Sequence, residues 1–385
     1  YDLARQSFGG TIRLLEHFRC VPDIIQFSNH LCYGQEIRPL REAAASQIRP
    51  PLVARRVERG EDEGKINRAE ALEIVSLVIA LTRFKEYDKS TIGVISMVGT
   101  DQALYIDSLL RRRMTVSEYQ KHRILCGNAA QFQGDERDVI FLSMVNSPSP
   151  DGKPLHLRVR DEAQKVFNVA ASRARDQVWV VHSLNPSRDL KTNDLRLKLI
   201  EHANNPAGLR SKEIEKSPRK VNSELERQVY ECLVDAKYNV IVGCQVGEFT
   251  LDLVVVGENG NRVAIQCDGE REITREALEA SLYRQMTLER LGWRFIRIRG
   301  SEFLRYPSEG MKKIERRLKR FEIQPLERAS GDPGKQERQK EAQGKELLEQ
   351  VIERARMIRT HWKDVPSVAS VIKRSARSDS HENDA

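Results

Sequence analysis

The chain has 385 residues, with 64 lysines and arginines against 56 aspartates and glutamates, a formal charge of +8 at pH 7 and a pI near 9.1. A chain of this length can bury two or three separate hydrophobic cores, which excludes a peptide or a small disulfide-stabilised fold. The mild excess of positive charge is compatible with binding to a polyanion.

The six cysteines occur without a CxxC pair, and most lie within apolar runs. This usage predicts reduced thiols in a cytoplasmic protein and excludes a zinc site or a disulfide framework. No stretch approaches the roughly 20 apolar residues that cross a bilayer, and no signal peptide opens the chain, so we expect a soluble protein without a membrane partner. Because the first residue is Tyr1 and no GxxxxGK[ST] motif occurs, we expect the C-terminal part of a longer protein.

The first elements in chain order are an extended apolar piece before Pro22 and a helix after it, since proline fits a helix's first turn. Residues 43–65 are rich in Ala, Pro, Arg and Glu without periodicity, which predicts a surface excursion. A helix is predicted at about 66–85 and a buried strand at 91–98. The helix that follows this strand contains Gln102.

Residues 114–121 predict a connector, and further buried strands are predicted near 123–126, 138–146 and 177–183. Strands that alternate with helices in this way predict an α/β fold whose parallel sheet is covered on both faces. We assign this domain to residues 1–202.

Residues 203–220, with prolines and mixed charge, predict a linker. A second, smaller α/β domain is predicted at 221–322, where a helix, three strands, a helix and a strand follow in series. Its first helix opens with Ser223 and Glu226, a capping-box pattern. Residues 323–385 predict a charged helix, either docked on the body or free, and then a disordered tail.

Two polar stretches stand next to these strands. Residues Gln131–Asp138 read Gln-Phe-Gln-Gly-Asp-Glu-Arg-Asp before an apolar run, and a loop of this kind at a strand's end suits a nucleotide or nucleic-acid site. Residues Phe167–Arg175 read Phe-Asn-Val-Ala-Ala-Ser-Arg-Ala-Arg before the next strand. Taken singly, the first stretch is equally well an ordinary loop, and Arg173 with Arg175 are equally well solvated charges on a helix.

In this order and at this spacing, the two stretches resemble motifs V and VI of superfamily 1 helicases of the branch with QGxE and NVAxTRAR signatures. The segment His-Phe-Arg-Cys-Val-Pro around Arg19 is similar to the one that opens the family's second RecA-like domain, and residues 91–98 with Gln102 resemble motif IV. The resemblance implies a RecA-like domain that binds ATP against an N-terminal RecA-like domain of the same protein and follows single-stranded DNA.

The same resemblance implies the roles of individual residues. Arg173 would be the arginine finger, and Arg19 would face the ATP γ-phosphate, unless it is only a structural arginine at a helix start. Gln133, Gly134 and Glu136 would couple the nucleotide to the nucleic acid, whereas Gln102 would contact the nucleotide or only cap its helix. Since the phosphate-cradling loop and the Mg²⁺-binding carboxylate would come from the other domain, this chain alone should not hydrolyse ATP.

The second domain resembles the small Vsr-like branch of PD-(D/E)XK nucleases that are found fused behind helicases. The resemblance rests on Asp252, on Ile265-Gln-Cys-Asp-Gly269, on Arg284-Gln285 and on the α-β-β-β-α-β order. It implies a DNA endonuclease in which Asp252 and Asp268 hold Mg²⁺, with Glu226 as a third oxygen ligand or only as the capping-box residue.

This domain departs from the family pattern at two places. Gln266 stands where the family has glutamate, and residues 272–274 offer no histidine. A neutral amide is a poorer ligand for a hard cation than a carboxylate. The alternative is a degenerate nuclease fold that only binds DNA, with phosphate contacts from four basic side chains, namely Arg275, Arg284, Arg297 and Arg299.

Three functions therefore remain open at the level of sequence. The first is the motor half of an ATP-dependent DNA helicase with a C-terminal endonuclease, acting in DNA repair or in defence against foreign DNA. The second is a helicase whose nuclease-fold domain only binds DNA, and the third is a non-enzymatic interaction fragment.

Overall fold

The computed structural model describes residues 14–41, 46, 48–58, 60–209, 223–246, 249–257, 261–268, 275–325 and 335–362. Up to residue 209 the elements are β1 (Glu16–His17), α1 (Pro22–Cys32), β2 (Arg38–Pro39), β3 (Leu52–Arg56), β4 (Asp62–Glu63), β5 (Ile66–Asn67), α2 (Arg68–Leu81), β6 (Ile92–Ser96), α3 (Asp101–Arg113), α4 (Val116–Lys121), β7 (Leu125–Asn128), β8 (Arg137–Ser143), α5 (Asp161–Ala171), β9 (Ala174–His182), α6 (Pro186–Asp189) and α7 (Leu195–Asn204). From residue 223 onward they are α8 (Glu224–Asp235), β10 (Asn239–Val246), β11 (Phe249–Val256), β12 (Arg262–Asp268), α9 (Arg275–Arg290), β13 (Arg294–Arg299), α10 (Gly300–Arg305), α11 (Pro307–Arg320) and α12 (Lys335–Thr360).

The first unit is built on a five-stranded sheet in the order β3-β9-β8-β6-β7, and every neighbouring pair of strands is parallel. All five residues of β6 are buried, as are most of β8 and β9. Such continuous apolar runs arise because helices cover both faces of a parallel sheet. Helices α2 and α3 pack on one face, and α1, α5 and α7 pack on the other. The predicted RecA-like α/β architecture is confirmed.

Two segments of the first unit differ from the prediction. Residues 43–65 are not only a surface excursion, because Leu52–Arg56 forms β3 and pairs in parallel with β9 at the sheet edge. Its apolar signal is short, since the strand follows two prolines and its last two residues are arginines. The predicted connector at 114–121 contains helix α4, whose first turn is a capping box between Thr115 and Glu118.

Helix α2 is buried on almost every side. It begins after Asn67, whose side chain accepts a hydrogen bond from the Glu70 backbone N–H at 3.0 Å. The sheet covers only one side of it, and a helix that is apolar all round requires a second cover. The C-terminal helix α12 supplies that cover.

Helix α12 returns from the second unit to the first. Val351 and Ala355 are fully buried in the core around α2, and Arg359 forms an ion pair with Glu73. The charged helix is therefore docked and not free. The predicted disordered tail lies outside the described residues, and among the helices that the structure describes none is long and apolar enough to cross a membrane.

The second unit is a four-stranded sheet in the order β10-β11-β12-β13. The first two pairs are antiparallel, and the last pair, joined through α9, is parallel. Helices α8 and α11 pack on one face and α9 on the other. The predicted small α/β unit is confirmed. Within the predicted linker at 203–220, residues 206–209 form a 3-10 turn after α7, and 210–222 lie outside the described residues.

Candidate functional site

The first candidate site lies at the amino-terminal ends of β8 and β9. Glu136 is the last residue before β8, and Arg173 is the last before β9. The backbone N–H of Val21 donates to the Arg175 carbonyl at 3.0 Å. This hydrogen bond brings the start of α1, and Arg19 with it, to the same strand ends. Three segments that are far apart in sequence thus meet at the amino-terminal ends of these two strands.

The two predicted phosphate-facing arginines converge on Ser172. Arg19 Nη1 donates to the Ser172 carbonyl at 3.3 Å, and Arg173 Nη2 donates to the Ser172 hydroxyl at 3.2 Å. Arg19 Nε also forms an ion pair with Glu136 Oε2 at 2.6 Å. Burial and the neighbouring Arg19 lower the pKa of Arg173 from its ordinary value, but a guanidinium remains charged at neutral pH.

Arginines and carboxylates alternate around this pair. Arg175 lies 3.8 Å from Glu136 Oε1, so this carboxylate is shared between Arg175 and Arg19. Burial, followed by the charges of Arg19 and Arg173, lowers the pKa of His17 to about 4. His17 is therefore neutral at pH 7, and its Nε2 accepts a hydrogen bond from the Cys20 N–H at 3.0 Å. Such an edge can bind an anion through charge-assisted hydrogen bonds.

The loop before β8 contains three of the predicted coupling residues, namely Gln133, Gly134 and Glu136. Gln133 and Gly134 are exposed, and Gly134 has a φ of +88° with no atom within 4 Å of a Cβ placed there. Glycine is favoured here because of this left-handed backbone and not because space is short. Glu136, at the base of the same loop, makes the contact with Arg19.

The structure does not bring Gln102 to this cluster. Its amide is fully buried at the carboxyl end of β8, donating to Ser143 Oγ at 2.9 Å and to the Asn67 carbonyl at 3.1 Å, and accepting from the Asn67 N–H at 2.9 Å. This corrects both expectations for Gln102, since the side chain neither caps its own helix nor has an exposed group for a nucleotide. It belongs to a buried network around Glu70, whose pKa burial raises to about 7.

The second candidate site lies on the sheet of the second unit. Gln266 Nε2 donates to Asp252 Oδ2 at 2.6 Å across β11 and β12, and the Cys267 N–H donates to the same oxygen at 2.9 Å. The other end of the amide, Gln266 Oε1, accepts from Arg284 Nη2 of α9 at 2.6 Å. Asp252 and Arg284 are thus joined through a neutral amide.

The second aspartate has a partner of its own. Asp268 accepts two hydrogen bonds from Arg297, at 2.8 Å from Nε and 3.0 Å from Nη2. Burial, followed by the charge of Glu226 and then that of Asp268, raises the pKa of Asp252 to about 6. Glu226 lies in the first turn of α8, where its N–H donates to Ser223 Oγ at 3.1 Å, one half of the predicted capping box. The three carboxylates are thus within electrostatic reach of one another.

These residues, as arranged, do not fit a Mg²⁺ ion. Mg²⁺ takes oxygen ligands in near-octahedral geometry, but Gln266 directs its nitrogen towards Asp252 and its oxygen towards Arg284. Both oxygens of Asp268 are engaged by Arg297. Within the described ranges, no group of three or more His, Cys, Asp or Glu side chains is placed to hold a metal.

Two of the predicted phosphate contacts are engaged inside the protein. Arg284 is held by Gln266 and by the Thr250 carbonyl at 3.2 Å, and Arg297 is held by Asp268. Arg299 is exposed, whereas the side chain of Arg275 lies outside the described residues. The phosphate contacts predicted for Arg284 and Arg297 stay predictions, and these partners within the domain are not visible in sequence.

Sequence reasoning missed one set of residues. A groove of about 1070 Å³ opens beside β13, and four basic residues of α11 line it, namely Lys313, Arg316, Arg317 and Arg320. In the sequence this run predicts only the solvated face of a charged helix. The signal was present in the spacing, since these four positions share one side of a helix.

Comparison with known proteins gives a family match for each unit. Residues 9–185 match the family model of an AAA domain, and residues 225–318 match a family model named REase_MTES_1575. None of the curated proteins compared matches the chain.

Among solved structures, the chain is similar to the C-terminal domain of a possible DNA helicase from Lactobacillus plantarum WCFS1. The two are 13% identical, the match covers 50% of this chain and 96% of that chain, and the TM-score is 0.28.

Proposed function

We propose that this chain forms the nucleotide-facing second half of an ATP-dependent DNA helicase. The premise is that it carries a superfamily 1 helicase-type AAA domain followed by a restriction-endonuclease-like domain. We further propose that the restriction-endonuclease-like domain binds DNA without cutting it. The observation that carries the first proposal is the convergence of Arg19 and Arg173 on Ser172, next to Glu136.

The arginines have a direct role in this proposal. ATP and Mg²⁺, held by an N-terminal RecA-like domain of the same protein, supply the phosphoryl-transfer chemistry. Arg173 places its guanidinium where negative charge grows on the γ-phosphoryl group, and Arg19 adds a second positive charge beside it. His17 stays neutral below this pair, so it adds no charge that would repel them.

Glu136 connects the two arginines to the exposed loop. Its ion pair with Arg19 spans 2.6 Å, and it stands two residues after Gly134. When an anion draws Arg19 away from Glu136, the base of the loop loses the closer of its two arginine partners and keeps only Arg175. The loop that carries the exposed Gln133 is then held less firmly. This link supports the proposed coupling between nucleotide and single-stranded DNA.

The contacts of the second domain support DNA binding over cleavage. Asp268 is neutralised by Arg297, and the amide of Gln266 takes the place between Asp252 and Arg284 that a carboxylate would take. A site in which an amide replaces a carboxylate and in which Asp268 is already paired with an arginine is poorly suited to a hard cation.

Endonuclease activity is the second candidate, and one observation favours it. Asp252 has its pKa raised to about 6 by burial and by the charges of Glu226 and Asp268, so the fold holds three carboxylates close together at a cost in stability. Sites of this kind are often functional.

The experiment for the motor half is ATP hydrolysis by the full-length protein, with and without single-stranded DNA. Hydrolysis stimulated by the strand supports the proposal. Absence of hydrolysis, in a protein whose N-terminal domain binds ATP, contradicts it and favours a non-enzymatic role.

A further inference from the structure

The groove beside β13 plays no part in the proposed motor. Its floor is the end of β13 with Arg297 and Arg299, and one side is formed by α10 and α11. Among the strands that the structure describes, β13 is the last in its sheet and pairs with β12, so the groove follows this edge of the sheet. Asp268, one of the carboxylates of the candidate nuclease site, also lines the groove.

Helix α11 turns one charged side towards the groove. Ile314 and Leu318 are buried beneath the helix, which fixes its rotation. The basic residues that line the groove follow at i, i+3, i+4 and i+7 of the helix, namely Lys313, Arg316, Arg317 and Arg320. A helix with this spacing presents the four charges as one row.

The position of this row is fixed by packing. Gly310 lies against the ring of Phe303 on α10, where an added Cβ would stand 2.5 Å from a ring carbon. The glycine therefore permits close contact between α10 and α11. The charges are carried by a rigid element, which reduces the entropy lost when a ligand binds.

The charge of the groove is strongly one-sided. Six of its lining residues are basic and two, Asp268 and Glu302, are acidic, which leaves an excess of four positive charges. Both acids are already paired, Asp268 with Arg297 and Glu302 with Lys313. Arg317 and Arg320 make no ion pair with any residue that the structure describes.

A charged sheet edge also has a simpler explanation, since charges on an edge strand prevent pairing with other chains. That role concerns charges on the strand itself. It does not account for a row of four on a neighbouring helix. Three of them, Arg316, Arg317 and Arg320, have no ion-pair partner among the described residues and repel one another.

We propose that this groove binds the phosphodiester backbone of DNA, with Arg299, Arg316, Arg317 and Arg320 as phosphate contacts. The proposal rests on the DNA binding proposed for the second domain and assigns it a surface. Guanidinium groups bind phosphate oxygens with paired hydrogen bonds, so a row of them suits a ligand that carries several phosphates in series. The path brings DNA past Asp268, so the groove holds DNA beside the nuclease-fold site.

The test compares two double variants of the 385-residue chain. Arg316→Glu with Arg320→Glu alters the groove, whereas Lys312→Glu with Lys319→Glu makes the same change in charge at exposed positions of the same helix that do not line the groove. Binding to a short fluorescent DNA duplex is measured across a salt series. A melting curve of each variant checks folding, and Arg316→Gln with Arg320→Gln repeats the test without charge reversal.

We expect the groove variant to bind at least about tenfold more weakly and its logarithmic salt slope to fall by about 2, because each lost phosphate contact removes about one released counterion. The control should change by less than half as much on both measures. Equal losses in the two variants, or tight binding by both, would overturn the groove assignment while leaving DNA binding by the chain intact. Failure of the parent chain to bind DNA would instead overturn the proposed function of the second domain.

Discussion

Arg19 and Glu136 lie 117 residues apart in the chain and form an ion pair with 2.6 Å between Nε and Oε2. The pair joins the start of α1 to the loop before β8, and Arg173 stands beside it at Ser172. An anion that approaches Arg19 and Arg173 competes with Glu136 for Arg19. The proposed link between nucleotide binding and the exposed loop depends on this competition.

The first prediction concerns Glu136→Gln in the full-length protein. Because the amide removes the charge that holds Arg19, we expect stimulation of ATP hydrolysis by single-stranded DNA to fall several-fold. The partly exposed pair contributes only about 0.2–1 kcal/mol, so the melting temperature should change little. Glu162→Gln, at an exposed position of α5, is the control, and an equal loss of stimulation in that variant would count against the role of Glu136.

A second prediction concerns the pH dependence of stability at Asp252. Its folded pKa of about 6 lies above the ordinary value of 3.8, so between these values the folded state holds a proton that the unfolded chain has lost. Stability therefore falls as the pH rises through this window. Asp252→Asn should be more stable than the parent at pH 7.5, and the difference should vanish by about pH 4 in thermal melts.

Asp268→Asn is the matched change for that experiment. It removes the charge that pairs with Arg297, so we expect it to destabilise the protein by about 1–3 kcal/mol at pH 7.5. If Asp252→Asn and Asp268→Asn shifted the melting temperature in the same direction, the different environments assigned to the two carboxylates would be incorrect.

The third prediction addresses cleavage by the second domain. We expect neither the parent nor Asp252→Ala to nick supercoiled DNA with Mg²⁺ or Mn²⁺, because Asp268 and Gln266 are already engaged by Arg297 and Arg284. Gln266→Glu should also be inactive, since the new carboxylate would pair with Arg284. Metal-dependent nicking by the parent that Asp252→Ala removes would establish the endonuclease instead.

A fourth prediction tests the docking of α12. Val351 is fully buried against the core around α2, so Val351→Asp should release the helix and expose residues 335–362 to limited proteolysis. Arg354→Asp, at an exposed position of the same helix, should leave the digestion pattern unchanged. Identical protease resistance of both variants would argue against a docked helix.

Sequence patterns predicted the buried elements well, because the spacing of apolar residues follows directly from which side chains are buried. The fully buried β6 shows this most clearly. The edge strand β3 was missed, since Leu52 and Val53 are its only fully buried residues. A strand at a sheet edge packs fewer side chains, so its pattern is weaker.

The candidate sites were less predictable than the fold. The motif residues Arg19, Glu136 and Arg173 do come together, but the ion pair between the first two follows from the register of α1 against β9. Likewise, Gln266 and Arg284 meet only because α9 crosses the sheet above β12. Contacts of this kind depend on the tertiary arrangement and leave no periodic trace in the sequence.

The most direct measurement of the central claim is ATP turnover by full-length Arg173→Ala in the presence of single-stranded DNA. An arginine finger acts on the transition state, so turnover should fall by about 10³ to 10⁵ while ATP binding stays within a few-fold of the parent. Arg112→Ala, at an exposed position of α3, should hydrolyse ATP like the parent. Turnover by Arg173→Ala within a few-fold of the parent would contradict the account.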